Sequence, residues 1–597
     1  MSITETSADR QQLALRLLAA RRRAAAGAAG IPRVPRDGTP LECSAEQRRL
    51  WLAEQVAGPA AAPPVTAGLA LHGPLDRTRL TTALAAVVDR HPVLRTRFAA
   101  DGGEPVQLLP EAPLTADQAE ALLDWTDLTP FPEPEREPLA QGLAVEAGGH
   151  RFDLAAGPLL RLTVLRLAPD EHRLLLICHH IAADAHSAAV LLEQLAAAHR
   201  DPSAARETTP SVPDYADYAA WSRRRLERVL PERLAYWRHR MAGAAPLAEP
   251  DLAPPRRPDR VGGRRTGTAV ARIDAPTLER LRAVGGSAPL TAHTALLAGF
   301  AVLLARCAGT REVVVGAASG ARPHPDLDQV VGCFTDLLPL RVPLTDGPDY
   351  RTLALRVRDT LAAALAHAAP FDRIVSAAAP RRAPGVHPLF QVLFVEREEG
   401  AAVLPGGPDT GWGPGLDARP WGREVDGTAY DLTLAATTGP DGAELVLTYP
   451  RDRFARAAAT AFAGELAELL ALLAQRPDAP VDTLRTAETW RAATRPHPAP
   501  RPAPRPAPGG EAGTAPPGAG PVAELRALWS EVLGRAAVGD HDDLFALGGD
   551  SLAVVRIAAR IEERFGAAVP ARLFFDTPTP AGFGAALARL IEEQQHA

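Results

Sequence analysis

The sequence predicts an α/β (or α+β) protein that ends in a small helical domain. Between residues 31 and 486, short β-like runs such as RLTVLRL and HRLLLICHH alternate with Ala/Leu-rich helical stretches such as TRLTTALAAVVDRH. Residues 487–521 follow as a Pro/Ala/Gly-rich stretch, and residues 522–597 carry four helical patterns. At 597 residues the chain is also too long for one compact core, so several folding units are expected.

The sequence pattern of residues 1–30 predicts a leader helix. RQQLALRLLAARRRAAA places four leucines near the cluster Arg21–Arg23, and the pattern ends in AAGAAG. Two interpretations stay open, a solvated leader and a segment that docks a partner protein.

The stretch over 487–521 predicts a linker. RPHPAPRPAPRPAPGG has a proline at nearly every second position and hardly any aliphatic side chain to bury. Pro-Ala repeats favour extended polyproline II at about 3.1 Å per residue, so the linker could reach on the order of 100 Å. Whatever follows it can move across a domain-sized distance.

Composition excludes several classes of protein. A formal net charge of -6 with no basic stripe gives no nucleic-acid footprint. No uncharged apolar stretch of about 18 residues is present, so no membrane span is predicted. Four scattered cysteines (Cys43, Cys178, Cys307 and Cys333) without a CxxC pair favour a reduced, cytoplasmic location.

The segment LLLICHHIAADAHS carries the strongest candidate site. An apolar run from Leu174 to Cys178 predicts a buried strand that ends in His179 and His180. Adjacent strand residues point to opposite faces, so at most one of the two histidines is expected to be catalytic. Asp184 could orient an imidazole, or bind an arginine and hold the loop.

Two other interpretations compete for these residues. A histidine pair can simply be part of a core or surface, without any role in chemistry. A metal site is suggested by His186 beside Asp184, but the opposed faces of the pair and the absence of a thiolate cluster argue against it.

At this point the chain resembles the condensation domains of nonribosomal peptide synthetases. Their HHxxxDG motif corresponds to residues 179–185, HHIAADA. Further segments similar to family motifs occur in the expected order: CSAEQRRLW (43–51), RHPVLRTRF (90–98), RFDLAAGPLLR (151–161), YADYAAWSR (215–223), VGCFTDLLPLR (331–341), HPLFQVLFV (387–395) and YDLTL (430–434).

The resemblance implies two lobes similar to chloramphenicol acetyltransferase, over 31–205 and 206–486, which meet at a tunnel. Its centre would hold the second motif histidine, His180, with His179 and Asp184 in the same catalytic motif. An acceptor amine would attack a carrier-bound acyl thioester and leave an amide. The family also implies a structural Asp184 that pairs with an arginine, for which Arg95 is our candidate.

Four positions depart from the family pattern. Ala185 replaces the motif glycine, which would strain the backbone if that residue needs a positive φ. His186 stands where an aromatic residue is common. Asp336 and Leu337 replace the Asn and Thr of FVNT, and the added carboxylate could favour a cationic acceptor. Simple drift is an equal alternative.

The segment DDLFALGGDSL, from Asp542, resembles a thiolation (peptidyl carrier) domain. The resemblance implies that Ser551 carries covalent 4′-phosphopantetheine. Independently, Ser551 opens a predicted helix whose unpaired N–H groups and dipole favour a phosphodiester, and Gly548 with Gly549 would expose it. The alternative is a serine that only caps a helix.

The sequence therefore predicts an acyltransferase of secondary-metabolite biosynthesis. The expected partners are an upstream carrier protein with the acyl or peptidyl donor, a stand-alone adenylation enzyme and a phosphopantetheinyl transferase. No phosphate-binding loop or room for an adenylation domain is found, so activation is expected in trans. Two rivals remain: ester formation with a hydroxyl acceptor, and a non-catalytic platform that recruits tailoring enzymes to the loaded carrier.

Overall fold

A computed structural model gives the structure of the chain. It describes residues 30–58, 62–201, 213–244, 266–286, 289–320, 322–378, 387–398, 411–413, 415–422, 430–486, 521–545, 547, 549, 551–567, 569–570, 573–574 and 577–595. The predicted leader helix and the predicted linker fall on residues outside these ranges.

The first lobe is built around a five-stranded sheet. Its elements are β1 (Leu41–Glu42), α1 (Ala45–Ala57), β2 (Val65–His72), α2 (Arg77–Arg90), β3 (Arg97–Asp101), β4 (Glu104–Leu108), α3 (Ala116–Glu120), β5 (Leu123–Asp127), α4 (Glu133–Gly148), β6 (Leu160–Ala168), β7 (Glu171–Cys178) and α5 (Ala185–Arg200). The sheet has the order β2-β7-β6-β5, with one further strand from later in the chain beside β2. β1, β4 and β3 form a separate small sheet.

β7 is the central strand of this sheet, which explains its continuous apolar sequence. It pairs antiparallel with β2 on one side and with β6 on the other. Helices α4 and α5 both pack against it. Every residue from His172 to Cys178 is buried, because a strand covered on both faces has no side exposed to water.

The second lobe has a six-stranded sheet, and a long helix, α6 (Tyr215–Arg240), precedes it. Its other elements are β8 (Thr266–Asp274), α7 (Ala275–Ala283), α8 (Ala292–Ala308), β9 (Glu312–Ser319), β10 (Asp336–Pro343), α9 (Tyr350–Ala366), α10 (Phe371–Ala378), β11 (Val392–Glu398), β12 (Asp417–Pro420), β13 (Leu432–Gly439), β14 (Gly442–Pro450) and α11 (Arg456–Gln475). The strand order is β10-β9-β11-β13-β14-β8.

Two elements join the lobes. Helix α6 begins in the first core with Tyr215 and Tyr218, and it reaches the second core with Trp237. Strand β12 comes from the second half of the chain but is the fifth strand of the first sheet, where it pairs antiparallel with β2, with Asp417 opposite His72. A lobe boundary near residue 205 stays a prediction, because both joining elements lie beyond it.

The C-terminal unit is helical. Helices α12 (Pro521–Leu533), α13 (Ser551–Phe565) and α14 (Pro580–Gln595) enclose a small core that contains Trp529, Ile557 and Phe583. The fourth predicted helix, at ARLFFDTP, lies partly outside the described residues; Leu573 and Phe574 are helical. The α/β architecture with a C-terminal helical domain is thereby confirmed.

One helix of the described chain, α11, is long and apolar enough to cross a membrane by length and composition. It contacts β8 and β14 of the second sheet. Its residues Phe462, Leu466 and Leu470 are buried in the second core. We therefore assign it as a core helix.

Candidate functional site

The histidine pair lies in the short connection between β7 and α5. Asp184 is the N-cap of α5, and Oδ1 of its carboxylate accepts from the amide of Ser187 at 2.8 Å and from its hydroxyl at 2.7 Å. A capping carboxylate satisfies N–H groups that have no partner inside the helix. It therefore holds the end of the turn that presents the histidines.

His180 is half-buried, and its contacts decide its tautomer. Nδ1 lies 3.1 Å from the carbonyl oxygen of Ala183, which can only accept, so Nδ1 carries the proton and Nε2 is left as an acceptor. Burial, and then the positive charge of Arg49, lower the pKa of His180 from its ordinary value of 6.5. A neutral imidazole of this kind can take a proton from an attacking amine.

His179 has different surroundings. Its Nδ1 accepts from the amide of Ile181 at 3.0 Å, so Nε2 carries the proton and donates to Glu54 Oε1 at 2.7 Å. Only 3% of His179 is exposed, and Glu54 belongs to α1, so the pair ties the end of β7 to that helix. The division into one catalytic and one structural histidine stays a prediction.

Asp184 binds Arg322, and our choice of Arg95 is wrong. The guanidinium of Arg322 places Nη2 3.1 Å from Oδ1 and Nη1 3.3 Å from Oδ2 of Asp184. Arg95 instead pairs with Asp89 at 3.0 Å. The physical reason is position: Arg95 directly follows a 3₁₀ turn after α2, which leaves its side chain beside Asp89 at the end of that helix.

The Asp184–Arg322 pair connects the histidine turn to the segment before β10. Oδ2 of Asp184 also accepts from the amide of Phe334 at 3.1 Å, and the guanidinium carbon of Arg322 lies 4.1 Å from the centre of the Phe334 ring. Burial alone would raise the pKa of Asp184, but Arg322 and the hydrogen bonds of Ser187 outweigh it and hold the pKa below 3.8. The carboxylate is therefore a buried, charged anchor.

Three departures from the family pattern have plain structural outcomes. Ala185 is the first residue of α5 and has no positive φ; of the described non-glycine residues only Asp346 has one, so the conditional strain at Ala185 does not arise. His186 is exposed, and its Nε2 donates to the Asp328 carbonyl at 2.9 Å. Leu337 is buried in the second core.

Metal ligands do not gather at this turn. His186 points to a backbone carbonyl, whereas Asp184 points to Arg322. Over the described ranges, no group of three or more His, Cys, Asp or Glu side chains is placed to hold a metal ion.

Asp336 opens β10 and lies near two charged residues of α1, Glu46 and Arg49. The Arg49 guanidinium donates to the carbonyl of Thr335 at 3.2 Å. Burial first, and the negative charge of Glu46 second, raise the pKa of Asp336 to about 7. Sequence reasoning singled out Asp336 but missed Glu46 and Arg49, since nothing in CSAEQRRLW separates them from ordinary surface residues of a helix.

Ser551 begins helix α13, as predicted, while Gly548 lies outside the described residues. Gly549 donates its N–H to the carbonyl of Leu544 at 2.9 Å, and a Cβ added to Gly549 would lie 2.7 Å from that oxygen. A glycine is therefore needed to bring the chain this tightly into the helix. The N-terminus of α13 suits a phosphodiester, because its N–H groups and dipole favour negative charge. The chain therefore fits 4′-phosphopantetheine at this position.

The carrier unit contacts the first lobe through α13 and α1. Arg556 donates to Glu104 at 2.8 Å. It also packs closely on Gly103, because a Cβ added to that glycine would lie only 2.6 Å from Cγ of Arg556. Val56 of α1 packs against the carrier core, and Val555 packs against the core of the first lobe. The helix that carries Glu46 and Arg49 is thus also the helix on which the carrier lies.

Two family models match the chain. The model described as Condensation domain matches residues 39–493, and the model described as Phosphopantetheine attachment site matches residues 523–587. Domains of the phosphopantetheine attachment type carry 4′-phosphopantetheine covalently on a serine.

Curated relatives are synthetases. The chain is 37% identical to Phosphinothricin tripeptide synthetase PhsC of Streptomyces viridochromogenes over 371 residues, which are 61% of this chain and 33% of that protein. It is 32% identical to Isonitrile lipopeptide synthase of Mycobacterium tuberculosis over 459 residues, which are 74% of this chain and 18% of that protein. The chain thus spans a third or less of the length of these two relatives.

Among solved structures, the chain is similar to the X-domain from teicoplanin biosynthesis. The TM-score is 0.65 at 27% identity, and the match covers 77% of this chain and 100% of that one. The complex of the X-domain and OxyB from the same biosynthesis gives a TM-score of 0.63 at 28% identity, over 77% of this chain and 99% of that one.

Proposed function

The chain belongs to the condensation-domain family of nonribosomal peptide synthetases and carries a phosphopantetheine attachment domain behind it, and from this premise we propose that it joins two carrier-bound substrates through an amide bond. The donor is an acyl or peptidyl thioester on an upstream carrier protein. The acceptor is an amine on this chain's own arm at Ser551. The observation that supports this most is the half-buried His180, whose Nε2 is left as a proton acceptor.

In the proposed reaction the amine nitrogen attacks the carbonyl carbon of the donor thioester, so that a C–N bond forms and the C–S bond breaks. His180 Nε2 accepts the proton that the nitrogen loses, and the departing thiolate takes up a proton. Positioning of both tethered substrates at Nε2 contributes as much as the base, since oriented reactants have high effective molarities. When bound, 4′-phosphopantetheine supplies the thiol that carries the acceptor as a thioester.

Delivery of the acceptor in cis is supported by the contact between the carrier and the first lobe. α13 begins at Ser551 and lies against α1, the helix whose residue Arg49 acts electrostatically on His180. An arm on Ser551 would therefore start next to an element that borders the candidate site.

The contact of Arg556 with Glu104 gives a test of this delivery. Arg556→Glu should slow acyl transfer to the cis arm by about threefold, since partly exposed ion pairs contribute modestly and reversal adds repulsion. Single-turnover mass spectrometry would measure the rate. The matched control is Arg560→Glu, on the same helix but paired with Glu531 inside the carrier. Equal rates for both variants would contradict docking through Arg556.

Monomer activation is proposed to occur in trans, by a separate adenylation enzyme. The support is the order of matched domains, which places the attachment domain at residues 523–587 directly behind the condensation domain at residues 39–493. A phosphopantetheinyl transferase is required to modify the carrier domain. We propose a cytoplasmic location, to which four buried cysteines without a CxxC pair are suited.

Two alternatives remain. A hydroxyl acceptor would give an ester through the same proton transfer to His180. A non-catalytic platform is the second alternative, and its support is the similarity to an X-domain whose complex with OxyB has been solved. The presence of His180 with an acceptor nitrogen, on an intact Asp184–Arg322 anchor, favours catalysis over the platform.

Intact-mass analysis tests the proposal. The protein is treated with a phosphopantetheinyl transferase and CoA, and Ser551→Ala should gain no mass where the wild type gains one arm. A loaded acceptor arm is then mixed with an acyl-carrier donor. Acyl mass on the wild type but not on His180→Ala would support condensation, and fragmentation would identify an amide or an ester. Arm attachment with identical masses for both proteins across a broad donor panel would favour the platform instead.

A further inference from the structure

A second polar cluster lies between the lobes, beyond the histidine turn. It consists of Glu46 and Arg49 on α1, Asp336 at the start of β10, and Tyr218 on α6. The hydroxyl of Tyr218 donates to Glu46 Oε1 at 3.3 Å, and Oδ1 of Asp336 accepts only from the adjacent amide of Leu337 at 2.8 Å among the described residues. We call these four residues the acid cluster.

The acid cluster contains polar atoms that the protein leaves without partners. Within the described part of the chain, buried Glu46 Oε2 has no partner in hydrogen-bond geometry, although the Ser44 side chain and the amide of Glu46 lie near the carboxyl group. Arg49 Nε is buried and donates no hydrogen bond there. A buried carboxylate oxygen without a donor is costly, and proteins rarely leave one in place without a reason. An additional donor at this position would remove that cost.

The charges of the acid cluster do not balance. Glu46 and Asp336 are two carboxyl groups against the single guanidinium of Arg49, which is directed to the Thr335 carbonyl. The neighbouring Arg48 is already shared by Glu104 and Asp372. Burial raises the pKa of Glu46, and burial together with the charge of Glu46 raises that of Asp336, because neighbouring carboxylates disfavour each other's ionisation. A bound cation would relieve this repulsion and favour the ionised form of both acids.

The acid cluster is close to the reacting centre without being part of it. Cys333 Sγ lies 3.8 Å from Nδ1 of His180, and the chain runs from there through Thr335 to Asp336. Arg49 is the main positive charge acting on both His180 and Asp336, whereas Asp184 is the main negative charge acting on His180. Asp336 thus lies three residues along the chain from the contact between Cys333 and His180, so a substrate whose amine reacts at Nε2 would extend its side chain toward the acid cluster.

We propose that Glu46 and Asp336 form a subsite for a positively charged side chain of the acceptor, a primary ammonium or a guanidinium. The proposal rests on the proposed function, because it assigns the substrate class of the same site. It places the cation on the acceptor, since α1 bears Glu46 of the acid cluster and also contacts the docked carrier. The acceptor amine reacts at His180 while the basic group of its side chain reaches the two acids.

Paired acceptors that differ only in charge test the subsite. Lysyl-CoA and norleucyl-CoA are used with a phosphopantetheinyl transferase to load the full chain, and single-turnover transfer from one acyl-carrier donor is measured by intact mass. The wild type should transfer to the lysyl arm about tenfold faster or more, since a hydrogen bond to a buried charge has this effect. In Asp336→Asn and Glu46→Gln the ratio should fall to about one to three. Glu444→Gln, a surface acid paired with Arg272, should keep the wild-type ratio.

A binding measurement separates failure of the subsite from failure of the proposed function. Lysyl- and norleucyl-pantetheine amides cannot be hydrolysed, and their affinities for the wild type and Asp336→Asn are compared by calorimetry. If the lysyl amide binds more tightly and Asp336→Asn abolishes the difference, the subsite is supported even if no transfer occurs. Absence of transfer would then contradict only the proposed condensation activity. Equal affinities for both amides in the wild type, or equal transfer to both arms, would overturn the subsite and leave the acid cluster as a hydrated structural feature.

Discussion

Replacing His180 with Ala is expected to slow acyl transfer by about 10²- to 10⁴-fold and to leave arm attachment at Ser551 intact. The reason is the tautomer: Nδ1 donates to the Ala183 carbonyl at 3.1 Å, so Nε2 is the nitrogen that can accept the proton of the amine. Alanine removes this acceptor but leaves the capping of α5 by Asp184 in place. Single-turnover transfer, followed by intact mass on a preloaded arm, measures the loss.

The matched control for this variant is His186→Ala. His186 lies six residues after His180, and it is exposed and bonded to the Asp328 carbonyl, so its loss should change the transfer rate by less than about twofold. The melting temperature of His180→Ala should stay close to that of the wild type. Transfer by His180→Ala at the wild-type rate would contradict a role for the imidazole and would favour the platform.

The pH dependence of the wild type follows from the same environment. Burial and Arg49 lower the pKa of His180 from 6.5, so more than half of its imidazole is neutral at pH 6.5 and the neutral fraction rises above it. The contribution of His180 to the transfer rate should therefore be constant near neutral pH and should fall as the pH is lowered through that depressed pKa. The acceptor amine itself titrates near neutral pH, so the profile is read as the ratio of the wild-type rate to the His180→Ala rate. An acid limb of that ratio above pH 6.5 would contradict this assignment.

Local sequence patterns are sufficient to locate the histidine turn. The apolar run to Cys178 predicts a buried strand, and β7 ends at that residue. The Ala/Leu-rich stretch AAVLLEQLAAAH (188–199) predicts a helix, and α5 contains it, with Asp184 as the N-cap. These features depend on residues a few positions apart, where periodicity and capping preferences act directly.

The partners of the motif residues cannot be found in the same way. Arg322 lies 138 positions from Asp184, and Glu54 lies 125 positions from His179. Each contact exists because separate elements pack together, and no spacing in the chain records it. Arg95 lies in a segment similar to a family motif, yet the structure places it beside Asp89. The pairing of β12 with the first sheet is hidden from the sequence for the same reason.

Asp184→Asn is expected to destabilise the protein by about 3 kcal/mol, because it leaves the charge of Arg322 buried without its counterion. The side chains of both residues are nearly inaccessible, at 3% and 5% exposure, and Asp184 accepts from Arg322, Ser187 and the Phe334 amide. Removal of the negative charge weakens all of these bonds together. Urea unfolding of the full chain, with the midpoint and slope of the transition, measures the effect.

A double-mutant cycle tests whether the stability loss arises from the pairing of Asp184 with Arg322. Arg322→Met alone should also destabilise, whereas the double variant Asp184→Asn/Arg322→Met should lose less than the sum of both, since it leaves no unpaired charge. The matched control is Asp417→Asn, whose partner Arg419 is exposed, and its effect should be under about 0.5 kcal/mol. Additive losses in the cycle would contradict the pairing of Asp184 with Arg322.

The pH dependence of stability in acid tests whether the charge of Asp184 is what stabilises the protein. The folded-state pKa of Asp184 is held below 3.8, so its contribution is present above the unfolded value and disappears as the pH falls through the folded one. The stability difference between wild type and Asp184→Asn should therefore be full at neutral pH and shrink below about pH 4. A difference that persists unchanged at pH 2 would mean that the asparagine disturbs packing and not charge. Because Asp184 joins the histidine turn to the segment before β10, loss of this charge should also displace His180, whereas His180→Ala should leave the anchor unaffected.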